Sequence, residues 1–310
     1  MQKVIGIGET LFDIVFRDAA HAEGVPGGSV FNAMISLGRI GVPAHFISEI
    51  GDDRVGRMIL EFMEENNLSV KSVDRFTDGQ TALSVAFLND AHEAEYTFYR
   101  KYPENRLSVV WPRIDPDDIF LFSSYYAVNP EVRQKVIEFL DYARERKTIV
   151  FYDPNFRKGH AGKAILMMPS ILENLEYADI VRGSKDDFLN IFGESNPDNV
   201  YRDKISFYCK TLIYTDGANG IDLYTPDFHK HYPVEKTECV STIGAGDNFN
   251  AGIIFGLIKN GITRDMLPSL QAGLWDEIIG IASAFSKEVC LSRENYIGKT
   301  FANMMAQKLP

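Results

Sequence analysis

The strongest constraint on the fold is the alternation of short apolar segments with longer segments of helical periodicity. The short segments with the length and composition of buried strands are KVIGIG, AHFISEIG, DIFLFSS, TIVFYD, ADIVRG and TLIYTDG. The longer segments predict helices over residues 29–40, 54–66, 130–146, 163–175 and 185–192, and later over 247–259 and 271–287. Strands that alternate with helices build βαβ units, so we expect an α/β fold with a doubly wound, mostly parallel sheet flanked by helices.

Two segments depart from this alternation. The patterns of residues 12–18 and 81–101 predict antiparallel strands, with a turn near residues 89–91. Such strands are common at the edges of mixed sheets, and they also form small separate sheets. We expect a single domain over residues 1–310, with a small antiparallel β lid formed by about residues 11–25 and 76–103.

Charge and composition argue against several classes of partner. The chain of 310 residues has a formal net charge of −11 and no basic run longer than RERK, so we expect no nucleic acid partner. Its first apolar segment is interrupted by Glu9 and Asp13, unlike a signal peptide, and nothing approaches the roughly 20 apolar residues that span a bilayer. The three cysteines lack the spacing of a zinc site or of a disulfide framework. We therefore expect a cytoplasmic protein without a membrane partner.

Polar clusters follow three of the predicted strands: DPNFR at residues 153–157, RGS at 182–184 and TDG at 215–217. Each cluster by itself is typical of an ordinary turn. Open α/β sheets bind ligands outside the carboxyl ends of their strands, so several clusters at equivalent ends favour a site at that edge.

Two N-terminal motifs leave alternatives open. In PGGSVFNA, the glycine pair before a helix indicates either a tight turn capped by Ser29 or close approach of the backbone to a ligand, with Asn32 as a polar contact. VIGIGETLFD begins like a dinucleotide-binding fingerprint, but Leu11 occupies the third glycine position, which excludes that interpretation. Asp13 is either an exposed edge residue or a ligand for hydroxyl groups.

The motif STIGAGDNFNAG points to chemistry. Apolar residues recur at helical spacing after Asp247, which puts this aspartate near a helix N-terminus. The amides of Gly244, Ala245 and Gly246 would then face the helix mouth, where free N–H groups and the helix dipole favour an anion. An anion site beside a base suits phosphoryl transfer to a hydroxyl group. The alternative is a glycine-rich turn with an aspartate at the helix start.

These motifs, in this order, resemble the ribokinase-like (pfkB-type) family of carbohydrate kinases over nearly the full chain. PGGSVFNAMISLGRIG resembles its first signature, TDGANG its T-x-G-x-x-G stretch and STIGAGDNFNAG its D-T-x-G-A-G-D signature. GETLFD and DPNFR are most similar to the fructokinase and 2-keto-3-deoxygluconate kinase branches. The resemblance implies a ribokinase-like fold and ATP-dependent phosphorylation of a sugar hydroxyl, with fructose as the first expectation.

The resemblance also implies roles for individual residues. Asp247 would be the catalytic base, and Gly244, Ala245 and Gly246 the anion hole. The sugar-binding residues would be Asp13, Gly27, Gly28, Asn32, Tyr96, Phe98, Arg100 and Arg157. The nucleotide-binding residues would be Ser184, Thr215, Gly217 and Gly220. The small sheet would close over the sugar, exclude water and pair across a homodimer.

ATP and Mg²⁺ are the implied cofactors. Asp187 stands where the family has a glutamate, and it would bind Mg²⁺ through water. Ser241 replaces an aspartate that helps to hold a monovalent cation in many members, which makes cation activation doubtful.

Two alternatives to fructose phosphorylation remain. A sugar acid such as 2-keto-3-deoxygluconate would need a cation in the pocket, for which Arg100, Arg106 and Arg157 are candidates. A catalytically silent sugar or nucleotide sensor is the alternative of another class. The intact glycine-rich motif with Asp247 argues against a sensor.

Overall fold

The computed structural model of the protein describes residues 1–16, 21–88 and 94–310, without the side chains of residues 88 and 94–96. Within that range the strands are β1 (Val4–Ile7), β2 (Leu11–Phe16), β3 (Ala22–Gly27), β4 (Ala44–Gly51), β5 (Leu68–Ser69), β6 (Val73–Phe76), β7 (Gln80–Leu88), β8 (Ala94–Lys101), β9 (Ile119–Ser123), β10 (Ile149–Asp153), β11 (Ile180–Ser184), β12 (Leu212–Thr215), β13 (Ile221–Tyr224) and β14 (His229–Tyr232). The α-helices are α1 (Ser29–Ile40), α2 (Arg54–Glu65), α3 (Arg133–Glu145), α4 (Ala164–Tyr177), α5 (Lys185–Phe192), α6 (Pro197–Val200), α7 (Ala245–Lys259), α8 (Ala272–Cys290) and α9 (Lys299–Ala306).

The main sheet has the strand order β14-β13-β12-β11-β10-β9-β1-β4-β5, and β6 also pairs with β4. The pairings from β12 to β5 are parallel, whereas β13 and β14 extend the sheet as antiparallel strands. Strand β1 pairs with β4 on one side and with β9 on the other, so the chain order reverses at β1. Open α/β sheets bind ligands in the crevice at such a reversal.

Two layers of helices cover this sheet. Along β9, Leu121 packs in the core shared with α1, α7 and α8, whereas Phe120 and Phe122 pack in the core shared with α3 and α5. Because both faces are covered, the strands are apolar along their whole length and appear in the sequence as short continuous apolar segments. None of the described helices combines the length and hydrophobicity that a membrane-spanning segment needs.

The predicted α/β architecture is confirmed, with all six strands and all seven helices present. Helices α1 and α5 have the predicted bounds. Helix α3 begins three residues later than predicted, because the preceding residues form a turn in which the Val132 N–H donates to the Asn129 carbonyl oxygen at 3.1 Å. Helix α7 begins at Ala245, two residues earlier than predicted.

The predicted second sheet is also present, in the order β3-β2-β7-β8. Strands β2 and β3 are antiparallel, as are β7 and β8, whereas the central strands β2 and β7 run parallel. Both central strands follow a strand of the main sheet, β1 and β6, which accounts for their common direction. The predicted turn at residues 89–91 and residues 17–18 of the first predicted strand lie outside the described residues.

Candidate active site

A cavity of about 1130 Å³ opens at the carboxyl ends of the parallel strands. Its wall includes residues that directly follow β1, β9 and β10, next to the reversal of strand order. The small sheet contributes Asp13, Ser84, Phe98 and Arg100 at one part of the wall. Helix α8 and the segment between β14 and α7 form another part, and the first residues of α7 line the same cavity. The cavity thus joins most of the positions singled out in the sequence.

Asp247 is buried in this wall, in the first turn of α7. Its Oδ1 accepts a hydrogen bond from the Ser29 hydroxyl at 2.8 Å, and its Oδ2 accepts one from Asn32 Nδ2 at 2.8 Å. Burial raises the pKa of Asp247 above its ordinary value, and the hydrogen bonds from Asn32 and Ser29 act in the opposite direction. The carboxylate therefore has a fixed orientation and an enhanced basicity, as a general base requires.

The start of α1 is built to hold those two donors. The N-cap is Gly28, at φ 136°, where an added Cβ would lie 2.3 Å from the Glu9 carbonyl oxygen. Ser29 does not cap the helix with its side chain, so the capping interpretation of this motif is wrong. Asn32 Oδ1 is buried and has no hydrogen-bond partner among the described residues, which leaves an acceptor available beside Asp247.

The glycine-rich turn before Asp247 brings backbone amides to the cavity. Gly244 is the N-cap of α7 with φ 79°, and a Cβ there would lie 2.5 Å from the carbonyl oxygen of Asn295. Gly244, Ala245 and Gly246 all line the cavity. The first amides of an α-helix have no partner within the helix, so this turn presents N–H groups and the positive end of a 15-residue helix, although the Ala245 amide also donates to the Thr242 carbonyl oxygen at 3.3 Å. Such a turn can hold an anion next to the Asp247 carboxylate.

A buried ion pair between Arg182 and Asp153 lies against this turn. Arg182 Nη1 donates to Asp153 Oδ2 at 3.0 Å, and Arg182 Nη2 donates to Thr215 Oγ1 at 2.8 Å. Asn250 Nδ2 donates to the same Asp153 oxygen at 2.6 Å. Burial raises the pKa of Asp153 to about 6, against the lowering effect of Arg182. The polar residues 182–184 at the carboxyl end of β11 were the sequence signal that could have identified Arg182.

Asp13 lies in the part of the wall that β2 contributes. Its carboxylate accepts a hydrogen bond from the Ser84 hydroxyl of β7. Burial raises the pKa of Asp13 to about 6, and the Ser84 hydrogen bond and the charge of Arg157 oppose this. Gly27 lies next to Asp13, since an added Cβ there would lie 2.3 Å from Asp13 Oδ2. It is not part of the cavity wall.

The three candidate cations have different environments. Arg100 lines the cavity but forms a bidentate ion pair with Glu9, with Nε–Oε1 and Nη2–Oε2 distances of 2.6 and 2.8 Å. Arg106 is buried in an ion pair with Glu49 and lines a second cavity, of about 510 Å³. Arg157 lies in the wall of the main cavity.

The aromatic candidates lie on β8. Phe98 lines the cavity, and its ring lies 4.3 Å from Arg100 Cζ. The side chain of Tyr96 lies outside the described part of the chain.

Three of the four predicted nucleotide-binding residues, Ser184, Thr215 and Gly217, line the cavity. Gly220 does not, because it packs against His231, whose Cε1 would lie 2.5 Å from an added Cβ. An apolar surface that includes Ile279 of α8 lies in the same wall. Helix α8 carries no distinctive sequence motif, so nothing in the sequence indicated that it lines the cavity.

Asp187 lines the cavity at the N-terminus of α5 and forms a capping box with Ser184. Its Oδ2 accepts hydrogen bonds from the Ser184 amide and hydroxyl at 2.7 and 2.6 Å, and its Oδ1 accepts one from the Phe156 amide at 2.5 Å. Both oxygens are thus engaged by the protein. This environment fits contact with Mg²⁺ through water, because Mg²⁺ keeps several waters and takes few protein ligands.

Ser241 lies ahead of the glycine-rich turn. Its hydroxyl accepts a hydrogen bond from the Ile243 amide at 3.2 Å, and its own amide donates to the Cys290 carbonyl oxygen at 3.3 Å. A hydroxyl at this point offers a cation less charge than a carboxylate would.

Known proteins resemble this chain in sequence. A probable chloroplastic fructokinase-6 from Arabidopsis thaliana is 31% identical over 272 residues, which cover 83% of this chain and 70% of that protein. A fructokinase from Rhizobium leguminosarum bv. trifolii is 29% identical over 276 residues, which cover 86% of this chain and 84% of that protein.

Solved structures resemble it in fold. Aminoimidazole riboside kinase from Salmonella enterica, complexed with aminoimidazole riboside and an ATP analog, superposes with a TM-score of 0.81 at 23% identity, with 100% of both chains covered. A fructokinase double mutant from Vibrio cholerae O395, bound to fructose, ADP and potassium ion, gives a TM-score of 0.82 at 17% identity and covers 100% of this chain and 99% of the other. At these identities the likeness concerns the fold alone.

The family model described as pfkB family carbohydrate kinase matches residues 1–292, nearly the whole chain. The match includes both the buried aspartate with its glycine-rich turn and the small sheet over the cavity. The protein belongs to the pfkB family of carbohydrate kinases and is an ATP-dependent sugar kinase.

Proposed function

We propose that the protein transfers the γ-phosphoryl group of ATP to a hydroxyl group of fructose. The observation that carries the proposal is the Asp247 carboxylate, held by Ser29 and Asn32 beside the amides of the glycine-rich turn. A base and an anion site side by side are what hydroxyl phosphorylation requires.

In the proposed reaction, the attacking hydroxyl donates a hydrogen bond to Asp247. Its oxygen forms a bond to the γ-phosphorus as the bond between that phosphorus and ADP breaks, and its proton passes to Asp247. The amides of Gly244, Ala245 and Gly246 donate to the phosphoryl oxygens, where negative charge collects in the transition state. Mg²⁺, held by Asp187 through water, would neutralise charge on the nucleotide phosphates.

The charges of the cavity favour a neutral sugar over a sugar acid. Arg100 is compensated by the bidentate contact with Glu9, and Arg106 is buried with Glu49 outside the main cavity. Asp13 and Arg157 lie in the same wall, and the charge of Arg157 lowers the pKa of Asp13, so these two charges also offset each other. Among the described residues, the wall beside the small sheet therefore offers a sugar acid no excess of positive charge, which favours a neutral ketose such as fructose. The two relatives described above are a probable fructokinase and a fructokinase, which agrees with this choice.

We also propose that the small sheet is a lid over the sugar. Its side chains line the cavity at Asp13, Ser84 and Phe98, and the Arg100–Glu9 ion pair connects it to the loop after β1. A closed lid would keep water from the transferring phosphoryl group. Tyr99 and Phe87 are large, exposed side chains of this sheet, so we propose it also as the surface through which two copies pair.

A coupled ADP-release assay tests the substrate. The panel contains fructose, aldoses, a riboside and 2-keto-3-deoxygluconate, each with ATP and Mg²⁺. We expect kcat/KM for fructose to exceed that for each other compound by at least ~10-fold. A higher value for the sugar acid would overturn the choice of fructose. Sugar binding without turnover of any compound would support a silent sensor instead.

The variant Glu9→Gln tests the charge argument in the same assay. It keeps the shape of residue 9 but leaves the charge of Arg100 uncompensated. We expect the ratio of kcat/KM for the sugar acid to that for fructose to rise by about 10-fold, because a full positive charge then faces the substrate. An unchanged ratio would contradict the charge argument for a neutral sugar.

A further inference from the structure

Arg182 is a buried cation in the wall of the cavity, and the proposed reaction leaves it without a role. It lies on β11, is 8% exposed and lines the cavity. An added Cβ at Gly246 would lie 2.9 Å from Arg182 Nη1 and 3.3 Å from Nη2. The guanidinium group therefore packs directly against the glycine-rich turn, and a side chain at residue 246 would displace it.

The other side of the guanidinium group is firmly held. Nη1 and Nη2 contact Asp153 and Thr215, which belong to the two strands on either side of β11. The ring of Phe249, one turn into α7, lies 5.6 Å from Cζ. A group that is fixed on three strands and one helix is preorganised, which is what electrostatic stabilisation of a transition state requires.

The donors of Arg182 are not exhausted by these contacts. A guanidinium group has five N–H donors, and the contacts to Asp153 and Thr215 account for one on each terminal nitrogen. Nε is buried and has no hydrogen-bond partner among the described residues. The terminal nitrogens, which lie nearest to Gly246, each keep a second N–H group, and these can donate to an anion held in the glycine-rich turn.

We propose that Arg182 is a second anion-stabilising group of the phosphoryl-transfer site, which acts through its positive charge on the phosphoryl group in the glycine-rich turn and on Asp247. This inference rests on the proposed function for its kinetic consequences. Asp153 and Thr215 are then the residues that position it. A purely structural ion pair is the alternative, since buried pairs also join strands without touching a ligand.

The test compares Arg182→Gln with Arg182→Lys. Glutamine keeps an N–H donor for Asp153 but removes the charge, whereas lysine keeps the charge and loses the planar fork. The control is Arg264→Gln, because Arg264 pairs with Asp179, at the opposite end of β11 and outside the cavity wall. Thermal unfolding establishes which variants are folded.

The first readout is binding of a non-hydrolysable ATP analogue with Mg²⁺, which needs no turnover. We expect Arg182→Gln to bind the analogue at least ~10-fold more weakly and the Arg264→Gln control to bind as the wild type does. Wild-type affinity in a folded Arg182→Gln variant would overturn the inference. This binding measurement tests the role of Arg182 even if fructose is not the substrate.

The second readout is the pH profile of kcat with the best sugar of the panel. We expect Arg182→Gln to lose about 10²-fold in kcat, and its acid limb to move to higher pH because Asp247 loses a nearby positive charge. Arg182→Lys should lose about 10-fold and keep the wild-type acid limb. If Arg182→Gln fails to fold, the lysine variant decides: wild-type kcat, or a shifted acid limb, would overturn the inference.

Discussion

At the scale of the residue, the environment of Asp247 suits the proposed role of this aspartate as a base. Burial alone would raise its pKa further, and the donors Ser29 and Asn32 limit that effect. The two hydrogen bonds also fix which oxygen lone pairs face the cavity. Position and basicity are therefore set by the same side chains.

Substitution of Ser29 by alanine tests this balance. We expect Ser29→Ala to lower kcat by about 10-fold and to move the acid limb of the pH profile to higher pH, since the donor to Oδ1 is lost. Ser72→Ala is the matched control, because Ser72 is buried and bonded to the Val110 carbonyl oxygen outside the site. An acid limb that stays in place in a folded Ser29→Ala variant would argue against the role of this hydrogen bond.

At the scale of the element, α7 and the small sheet both contribute residues to the wall of the cavity. The start of α7 carries Asp247 and the amides of the glycine-rich turn, and β2, β7 and β8 carry side chains that line the same cavity. The main sheet supplies a rigid frame, because its strands are buried on both faces. Movement, if the lid closes, therefore belongs to the small sheet.

Hydrogen exchange in the presence of fructose tests the lid. We expect the amides of β2 and β7 to gain protection when fructose is saturating, because a closed lid opens less often. The amides of β10 and β11, in the core of the main sheet, should exchange as slowly as before. Equal exchange of β2 and β7 with and without fructose would contradict closure of the lid on the sugar.

The elements were predictable to different degrees for physical reasons. Strands buried on both faces leave a continuous apolar signal, so the main sheet followed from local sequence. The parallel pairing of β2 with β7 depends on how the chain leaves β1 and β6, which no local pattern records.

The site was predictable where its parts are close in the sequence. Asp247 and its glycine-rich turn form one motif, which is why they were identified together. The donors to Asp247 come from residues more than 200 positions away, and the Glu9–Arg100 pair joins residues 91 positions apart. Arg182 was missed because its importance lies in contacts with Gly246 and Asp153, from separate parts of the chain.

At the scale of the whole molecule, the cavity is built at a cost in stability that depends on pH. Asp13 has a folded pKa of about 6, above the ordinary value of 3.8, so the folded state binds its proton more tightly than the unfolded state. The stabilising contribution of this proton is complete below pH ~4 and is lost as the pH rises through about 6. A buried carboxylate in the cavity wall thus reduces stability near neutral pH.

The variant Asp13→Asn measures that cost. We expect its free energy of unfolding to rise relative to the wild type by about 1–2 kcal/mol between pH ~4 and pH ~7, since asparagine carries no charge to bury. Thermal unfolding of both proteins across this range gives the difference. A difference that does not change with pH would show that Asp13 is not destabilised by burial in the folded state.

The most direct test of the central claim is the turnover of Asp247→Asn in the ADP-release assay. Asparagine keeps the size of the side chain but cannot accept the hydroxyl proton. We expect kcat to fall by at least ~10²-fold while the affinity for the sugar stays within a few-fold of the wild type. Unchanged turnover in a folded Asp247→Asn variant would contradict the assignment of Asp247 as the base.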